Sequence, residues 1–312
     1  MEWTRRPSNR PSEVMGVRQD LPVIPQPFAQ RITTIYGQNG QAWLETLPAI
    51  LQDLSQSWSL EIGEPFPGLT YNYVTRANGP NQEPYVVKVG IGTPEGSREA
   101  LALREYAGQG AVRVIRHDES RHAMLLESIV PGTMLTDLDD EKATEIAADV
   151  LNQLWRPTQS DFPNLETWTH ALEKIAAQPN PIPKELFDQA VNLKKELLAD
   201  PPERLLLHGD LHHYNILHSE ERGWLAIDPK GVIGERAYDI VSFLNNPRPM
   251  TDGETQRRIS IFVERLNLDR ERLVAWAYVQ SIVSACWTIE DGEEGWEGAV
   301  EFAKRVSGSL GT

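Results

Sequence analysis

The stretch Leu205-Leu206-Leu207-His208-Gly209-Asp210-Leu211-His212-His213-Tyr214-Asn215-Ile216-Leu217, with Trp224-Leu225-Ala226-Ile227-Asp228-Pro229-Lys230-Gly231 after it, decides how the chain is read. Two short apolar runs of strand character each end on a carboxylate, Asp210 and Asp228, and an amide, Asn215, lies between them. Phosphoryl transfer from a nucleotide asks little covalent work of a protein. It needs a positioned metal ion, an acceptor hydroxyl in line with the phosphate, and a carboxylate beside that hydroxyl. Asp210 suits the last role, while Asn215 and Asp228, both oxygen donors, suit Mg2+. A second chemistry is open, because His208, Asp210, His212 and His213 place three imidazoles and a carboxylate within six residues, as a zinc hydrolase would. Against it, no other compact His/Asp/Glu cluster supports that site, and Asn215 and Asp228 would have no role. A third reading, in which both aspartates merely cap strands and turns, treats the lysine and glutamate described next as coincidence.

Upstream, apolar residues recur at helical spacing over 40–58 (Trp43, Leu44, Leu47, Ile50, Leu51, Leu54), predicting a packing helix that runs through Pro48. Strand-like pieces at 60–63, 71–76 and 85–89 read as an antiparallel meander with a turn at Asn78-Gly79. The last of them ends in Val86-Val87-Lys88. Most lysines in such a setting are outward-facing or on an edge. The alternative is a lysine aimed into a cleft at nucleotide phosphates, which needs a helix carboxylate to orient it. The helix predicted over 94–107 offers Glu99, with Glu95 as the fallback on the same face. Strands follow at 111–116 and 122–127. At Pro131-Gly132 the pattern turns helical, with helices expected over 141–155, 165–177, 184–199, 237–244, 254–266, 270–290 and 294–306. Backbone groups from Glu127 to Ile129 stand where an adenine edge could pair, and equally where a plain linker would run. The expected plan is therefore a weakly ordered or surface-lying leader over 1–28, a β-rich nucleotide-binding lobe over 29–130, and an α-rich catalytic and acceptor-binding lobe over 131–312.

The totals narrow the function classes. A 312-residue chain with 40% hydrophobic and 24% charged residues can bury a sizeable core. A single cysteine, Cys286 in an apolar helical segment, excludes an intramolecular disulfide framework and reads as a buried structural thiol. A net charge of −15 disfavours a nucleic-acid partner and would suit a small cationic acceptor, although an acidic surface also serves solubility. No run of 18 apolar residues and no apolar segment after Arg5-Arg6 points to a membrane span or signal peptide, so a cytoplasmic protein is expected. The sequence gives no indication of oligomeric state.

The segment from His208 to Asn215 resembles the catalytic loop of the aminoglycoside phosphotransferases, whose fold is similar to that of protein kinases. Trp224 to Gly231, Gly108-Gln109-Gly110-Ala111-Val112-Arg113 and Leu125-Leu126-Glu127 resemble the branch of streptomycin 6-kinases and hydroxyurea phosphotransferases. The resemblance implies an α+β, protein-kinase-like fold of two lobes: a smaller antiparallel-sheet N-lobe with one main helix, and a larger, mostly α-helical C-lobe. It implies an ATP-dependent kinase, with GTP the other candidate donor, using Mg2+ to phosphorylate a hydroxyl of an aminoglycoside such as streptomycin. By the same resemblance Asp210 matches the catalytic aspartate, Asn215 and Asp228 the magnesium ligands, Lys88 the phosphate-binding lysine and Glu99 its partner. Asp239 matches the aspartate that hydrogen-bonds the catalytic-loop backbone, where a local reading gives only a helix-start carboxylate. Two departures stand out: 64–70 lacks the GxGxxG of protein kinases, and Asp228 is followed by Pro229 in place of phenylalanine. The rivals are a kinase for a metabolite (amino alcohol, sugar or sugar-amine adduct) and a nucleotide-binding module without catalysis.

Overall fold

The computed structural model describes residues 23–247 and 251–308, so most of the expected leader lies outside the described residues. The chain forms two compact units, one running to Pro84 and the other starting at Tyr85.

In the first unit, helix α1 (Gln26–Trp58) precedes strands β1 (Glu61–Pro65) and β2 (Tyr73–Asn78), which pair antiparallel with Ile62 opposite Ala77. The helix begins well before residue 40, and its first turn takes in Gln26 to Phe28 of the stretch assigned to the leader. Pro27 suits this first turn, where a missing N–H costs nothing. The extra turns are held by Phe28 and Ile32, both buried, with the Phe28 ring 6.0 Å from Trp43 and from Tyr73. Gly37, at φ 56° and ψ −131°, interrupts the rod, a conformation open to glycine for want of a Cβ.

The second unit takes in β3 (Pro84–Val89) from Tyr85 onward, then α2 (Pro94–Tyr106), β4 (Val114–Asp118) and β5 (Ala123–Glu127). Strand β5 pairs antiparallel with both β3 and β4, and Lys88 lies opposite Met124. Next come β6 (Pro131–Met134), α3 (Asp140–Leu154), α4 (Leu165–Trp168), α5 (Ala171–Ala176) and α6 (Lys184–Ala199). Strands β7 (Leu205–Leu207), β8 (Ile216–Ser219), β9 (Gly223–Ala226) and β10 (Val232–Gly234) carry the central stretch. Helices α7 (Arg236–Asp239), α8 (Val241–Leu244), α9 (Asp252–Leu266), α10 (Arg270–Glu290) and α11 (Glu297–Ser307) close the chain. Pro131-Gly132, read as a turn, instead opens a strand, because β6 finds a partner in β8.

The core of this unit is helical. In α3 the side chain of Asp139 accepts from the N–H groups of Glu141 and Lys142, and the apolar stripe Ala143, Ile146, Ala147, Val150, Leu151 and Leu154 is buried as expected. Helix α10 is apolar on nearly every face and runs through the core against α5, α6 and α11. Cys286 is buried within it, and burial pushes its thiol up to about 12. Two expected helices are each split. Over 165–177 the Thr169 hydroxyl bonds back to the Leu165 carbonyl and the His170 amide reaches Thr167, three residues back, which separates α4 from α5. Over 237–244 the amides of Tyr238 and Phe243 likewise bond three residues back, to Glu235 and Ile240.

Candidate active site

Strand pairing brings the residues of the central stretch together. Strand β7 pairs with β10, Leu207 opposite Val232, and β8 pairs with β9, Ile216 opposite Ala226. Asp210 therefore follows the end of β7 and Asp228 the end of β9. The Ile227 amide donates to the Asn215 carbonyl at 2.9 Å, so Asn215 and Asp228 share one end of a hairpin despite their separation in sequence.

The loop from His208 to Asn215 is held from beneath. Buried Asp239 accepts from the Gly209 amide at 2.6 Å, the His208 amide at 3.0 Å and the Trp155 indole at 2.9 Å. Burial raises its carboxyl to about 6, against the pull of these three donors. The buried His208 ring accepts from the Asp210 amide on Nδ1 at 3.2 Å, so Nε2 carries the proton and donates to the Ile227 carbonyl at 2.8 Å. Burial depresses this ring to about 3, which keeps it neutral. Gly209, at φ 81°, sits so close to Val232 that a Cβ there would lie 2.9 Å from its methyl group. Asn215 donates through Nδ2 to the Asp210 carbonyl at 3.0 Å, which leaves its Oδ1 as the free end of the amide.

Asp210 itself is part-buried, with a side chain 36% exposed. Burial raises its carboxyl above the ordinary carboxylate range; His212, Lys230 and a hydrogen bond from Ser242 work against that shift and Asp228 adds to it. The three histidines do not converge on a metal. His208 is bonded to Ile227, buried His213 stacks on Phe243 with ring centres 3.9 Å apart, and only His212 approaches Asp210, at 3.9 Å. Among the described residues no group of three or more His, Cys, Asp or Glu side chains is arranged around a metal position.

Lys88 is buried, not on an edge, and its Nζ lies 2.7 Å from Glu99 and 2.6 Å from Asp228. Burial alone would lower its ammonium, but the two carboxylates overcome that and raise it. Burial raises Glu99 to about 7, since the attraction of Lys88 is partly offset by Asp228. In Asp228 the order reverses: burial pushes the carboxyl up, Lys88 outweighs it, and the group sits below its usual range. The fallback carboxylate, Glu95, does not pair with Lys88. It lies 2.5 Å from Lys230, a cation that no local pattern in the sequence singled out, although it stands two residues beyond Asp228. Glu127 donates its amide to the Arg113 carbonyl at 3.0 Å, and its carboxylate accepts from the Arg113 amide and pairs with Arg222. Ile129 is partly buried against the core. A cavity of about 350 Å³ among Gly108, Gln109, Gly110, Gln153, Arg222 and Leu225 is lined by none of the candidate residues.

The chain has relatives among known proteins. The sequence model of the "Aminoglycoside/hydroxyurea antibiotic resistance kinase" family matches residues 72–292. A streptomycin 6-kinase from Streptomyces glaucescens is 29% identical over 299 residues, which cover 91% of this chain and 97% of the relative. A streptomycin 3''-kinase from Klebsiella pneumoniae is 35% identical over 205 residues, 61% of this chain and 74% of the relative. Among solved structures, a thermostable aminoglycoside phosphotransferase in ternary complex with ADP and hygromycin B superposes with a TM-score of 0.61 at 15% identity, covering 84% of this chain and 99% of that one. The α+β, protein-kinase-like fold expected from the sequence is the fold found.

Proposed function

The chain belongs to the aminoglycoside/hydroxyurea antibiotic resistance kinase family and is a small-molecule kinase, and on that premise we propose that it transfers the γ-phosphate of ATP to a hydroxyl of an aminoglycoside, with streptomycin the first acceptor to test. The observation that carries this reading is the Lys88 ammonium held at once by Glu99 of α2 and by Asp228 at the end of β9, beside the anchored loop of Asp210. Such a lysine is oriented for nucleotide phosphates, and such a loop holds a carboxylate still for the acceptor.

In the proposed reaction the acceptor oxygen bonds to the γ-phosphorus as the bond to the ADP oxygen breaks. Asp210 orients the acceptor hydroxyl and receives its proton, which then passes to solvent. Lys88 holds the nucleotide phosphates and Glu99 holds Lys88. The carbonyl of Glu127 and the amide of Ile129 are proposed to pair with the base, the Glu127 amide already being committed to Arg113. The donor set suits Mg2+: Asn215 presents an amide oxygen, its Nδ2 being committed to the Asp210 carbonyl, and the Asp228 side chain is 49% exposed with its Oδ1 on Lys88. When bound there the ion would neutralise charge between the β- and γ-phosphates. ATP as donor also favours the cytoplasm as the place of action, and among the described residues no helix is long and apolar enough to cross a membrane.

The test is ATP turnover with Mg2+ and streptomycin, followed by location of the phosphate on the product. Asp210→Asn should lower kcat by about 10²–10⁴ while leaving nucleotide affinity in place. Undiminished turnover in that variant would remove Asp210 from the mechanism. Turnover with an amino alcohol or a plain sugar and none with aminoglycosides would make the protein a metabolite kinase.

A further inference from the structure

Lys88 is the cation that the sequence pointed to, yet its charge is shared between Glu99 and Asp228. Lys230 is placed differently. Its amide donates to the His208 carbonyl at 2.7 Å, and its Cβ packs against Gly209, where an added Cβ would come within 3.2 Å. The stem of Lys230 is thus fixed to the back of the loop that carries Asp210. Its ammonium extends to Glu95 at the start of α2, at 2.5 Å, and lies in the field of both Asp210 and Asp228. The Glu95 carboxylate is 48% exposed. With the carboxylate half in water and the lysine 29% exposed, the pair is partly screened, so its lysine can exchange for a more highly charged partner.

We propose that Lys230 is a phosphate-directed residue: in the nucleotide-free protein Glu95 tethers its ammonium at the start of α2, and on ATP binding the ammonium leaves Glu95 for the terminal phosphate. The proposal rests on the kinase reading above. Its physical basis is charge. A γ-phosphate arriving here meets Asp210 and Asp228, and Lys88 already serves two carboxylates. A second ammonium on a fixed stem offsets that repulsion and favours the transferring phosphoryl group, whose charge is spread over its equatorial oxygens. The alternative, that Lys230 and Glu95 only tie α2 to the loop, makes a different prediction, because either partner's loss would then act equally on every ligand.

The experiment is calorimetric titration of the full chain, with Mg2+, against a non-hydrolysable ATP analogue and against ADP. Lys230→Ala should weaken the analogue by roughly 10- to 100-fold, the scale of a lost charge-assisted hydrogen bond, and shift ADP by about twofold or less. Lys230→Arg should restore most of the analogue affinity. Glu95→Gln, which releases the lysine, should strengthen the analogue by about two- to fivefold. Equal weakening of ADP and analogue by Lys230→Ala, or weakening of the analogue by Glu95→Gln, would overturn the proposal and leave a structural tie. Failure of the unmutated protein to bind either nucleotide would overturn the kinase reading itself, and the role of Lys230 with it.

Discussion

Two buried carboxylates next to the candidate site make its stability depend on pH in a direction opposite to the usual surface carboxylate. Glu99 is 6% exposed and raised to about 7 from 4.5, and Asp239 is 2% exposed and raised to about 6 from 3.8, burial being the leading cause in each. A folded-state value above the unfolded one means that the native protein holds the proton more tightly. The stability each group contributes is therefore complete below its unfolded value and is lost as pH rises through the folded one. For Glu99 the window runs from about 4.5 to about 7, and the loss across it is on the order of 3 kcal/mol. Asp228 acts only at more acid pH and Lys88 only at alkaline pH, but the buried rings of His208 and His213, each depressed by burial to about 3 from 6.5, add stability as pH rises through much of the same interval, so the contribution of Glu99 is read against a variant that lacks it. Between pH 4.5 and 7 the stability of Glu99→Gln, measured by urea unfolding, should gain about 3 kcal/mol relative to the unmutated protein. Superimposable profiles would mean that Lys88 keeps Glu99 ionised throughout. A nucleotide that draws Lys88 toward its phosphates would raise Glu99 further, so binding should be accompanied by proton uptake near neutral pH.

Between elements, one arginine adds to the support that Asp239 gives the loop. Arg258 of α9 is 3% exposed and donates to Asp140 at the start of α3 and to the carbonyls of Phe243 and Asn246, and it lies over the Phe243 ring at 5.2 Å. Phe243 in turn stacks on His213 of the loop. Arg258→Met keeps the apolar stem but strands Asp140 and two carbonyls, and should destabilise by about 2–4 kcal/mol, the lower end applying because Asp140 is 26% exposed. A urea midpoint within error of the unmutated protein would show that solvent replaces these bonds. Nothing local in the sequence announces Arg258, and the same holds for Lys230, because the partners of each lie on distant segments. What was legible follows the same logic. Helices α3, α6, α9 and α10 carry a strong apolar period or dense apolar content, and Asp210 and Asp228 follow strands whose composition says strand. The first part of α1 was not legible, since it buries only Phe28 and Ile32 before Gly37, too few to set a period. Lys88 could be read as an edge residue or a cleft residue from its neighbours, and only the position of Glu99 one helix later favoured the second. Asp239 needed the family resemblance, because a carboxylate at a short helix looks like any other until the amides it accepts from are known.

At the scale of the whole chain the net charge of −15 is the one property that reaches substrates before any contact is made. An aminoglycoside is a polycation and ATP with Mg2+ is an anion, so the same field should attract the first and repel the second. Added salt shortens the range of that field, from about 30 Å at 0.01 M to about 8 Å at 0.15 M. Raising the ionic strength over that interval should therefore lower kcat/KM for streptomycin by about tenfold, raise or leave unchanged kcat/KM for the nucleotide, and leave kcat nearly constant, because chemistry within the closed complex is little screened. The opposite signs for the two substrates separate this effect from general salt inhibition, which would lower both. An acidic surface that serves solubility alone predicts no dependence on the charge of the acceptor. The comparison is sharpest with two acceptors that differ in charge and share a reactive hydroxyl: the salt dependence should follow the number of ammonium and guanidinium groups on the acceptor, and a flat response across that series would assign the acidic excess to solubility.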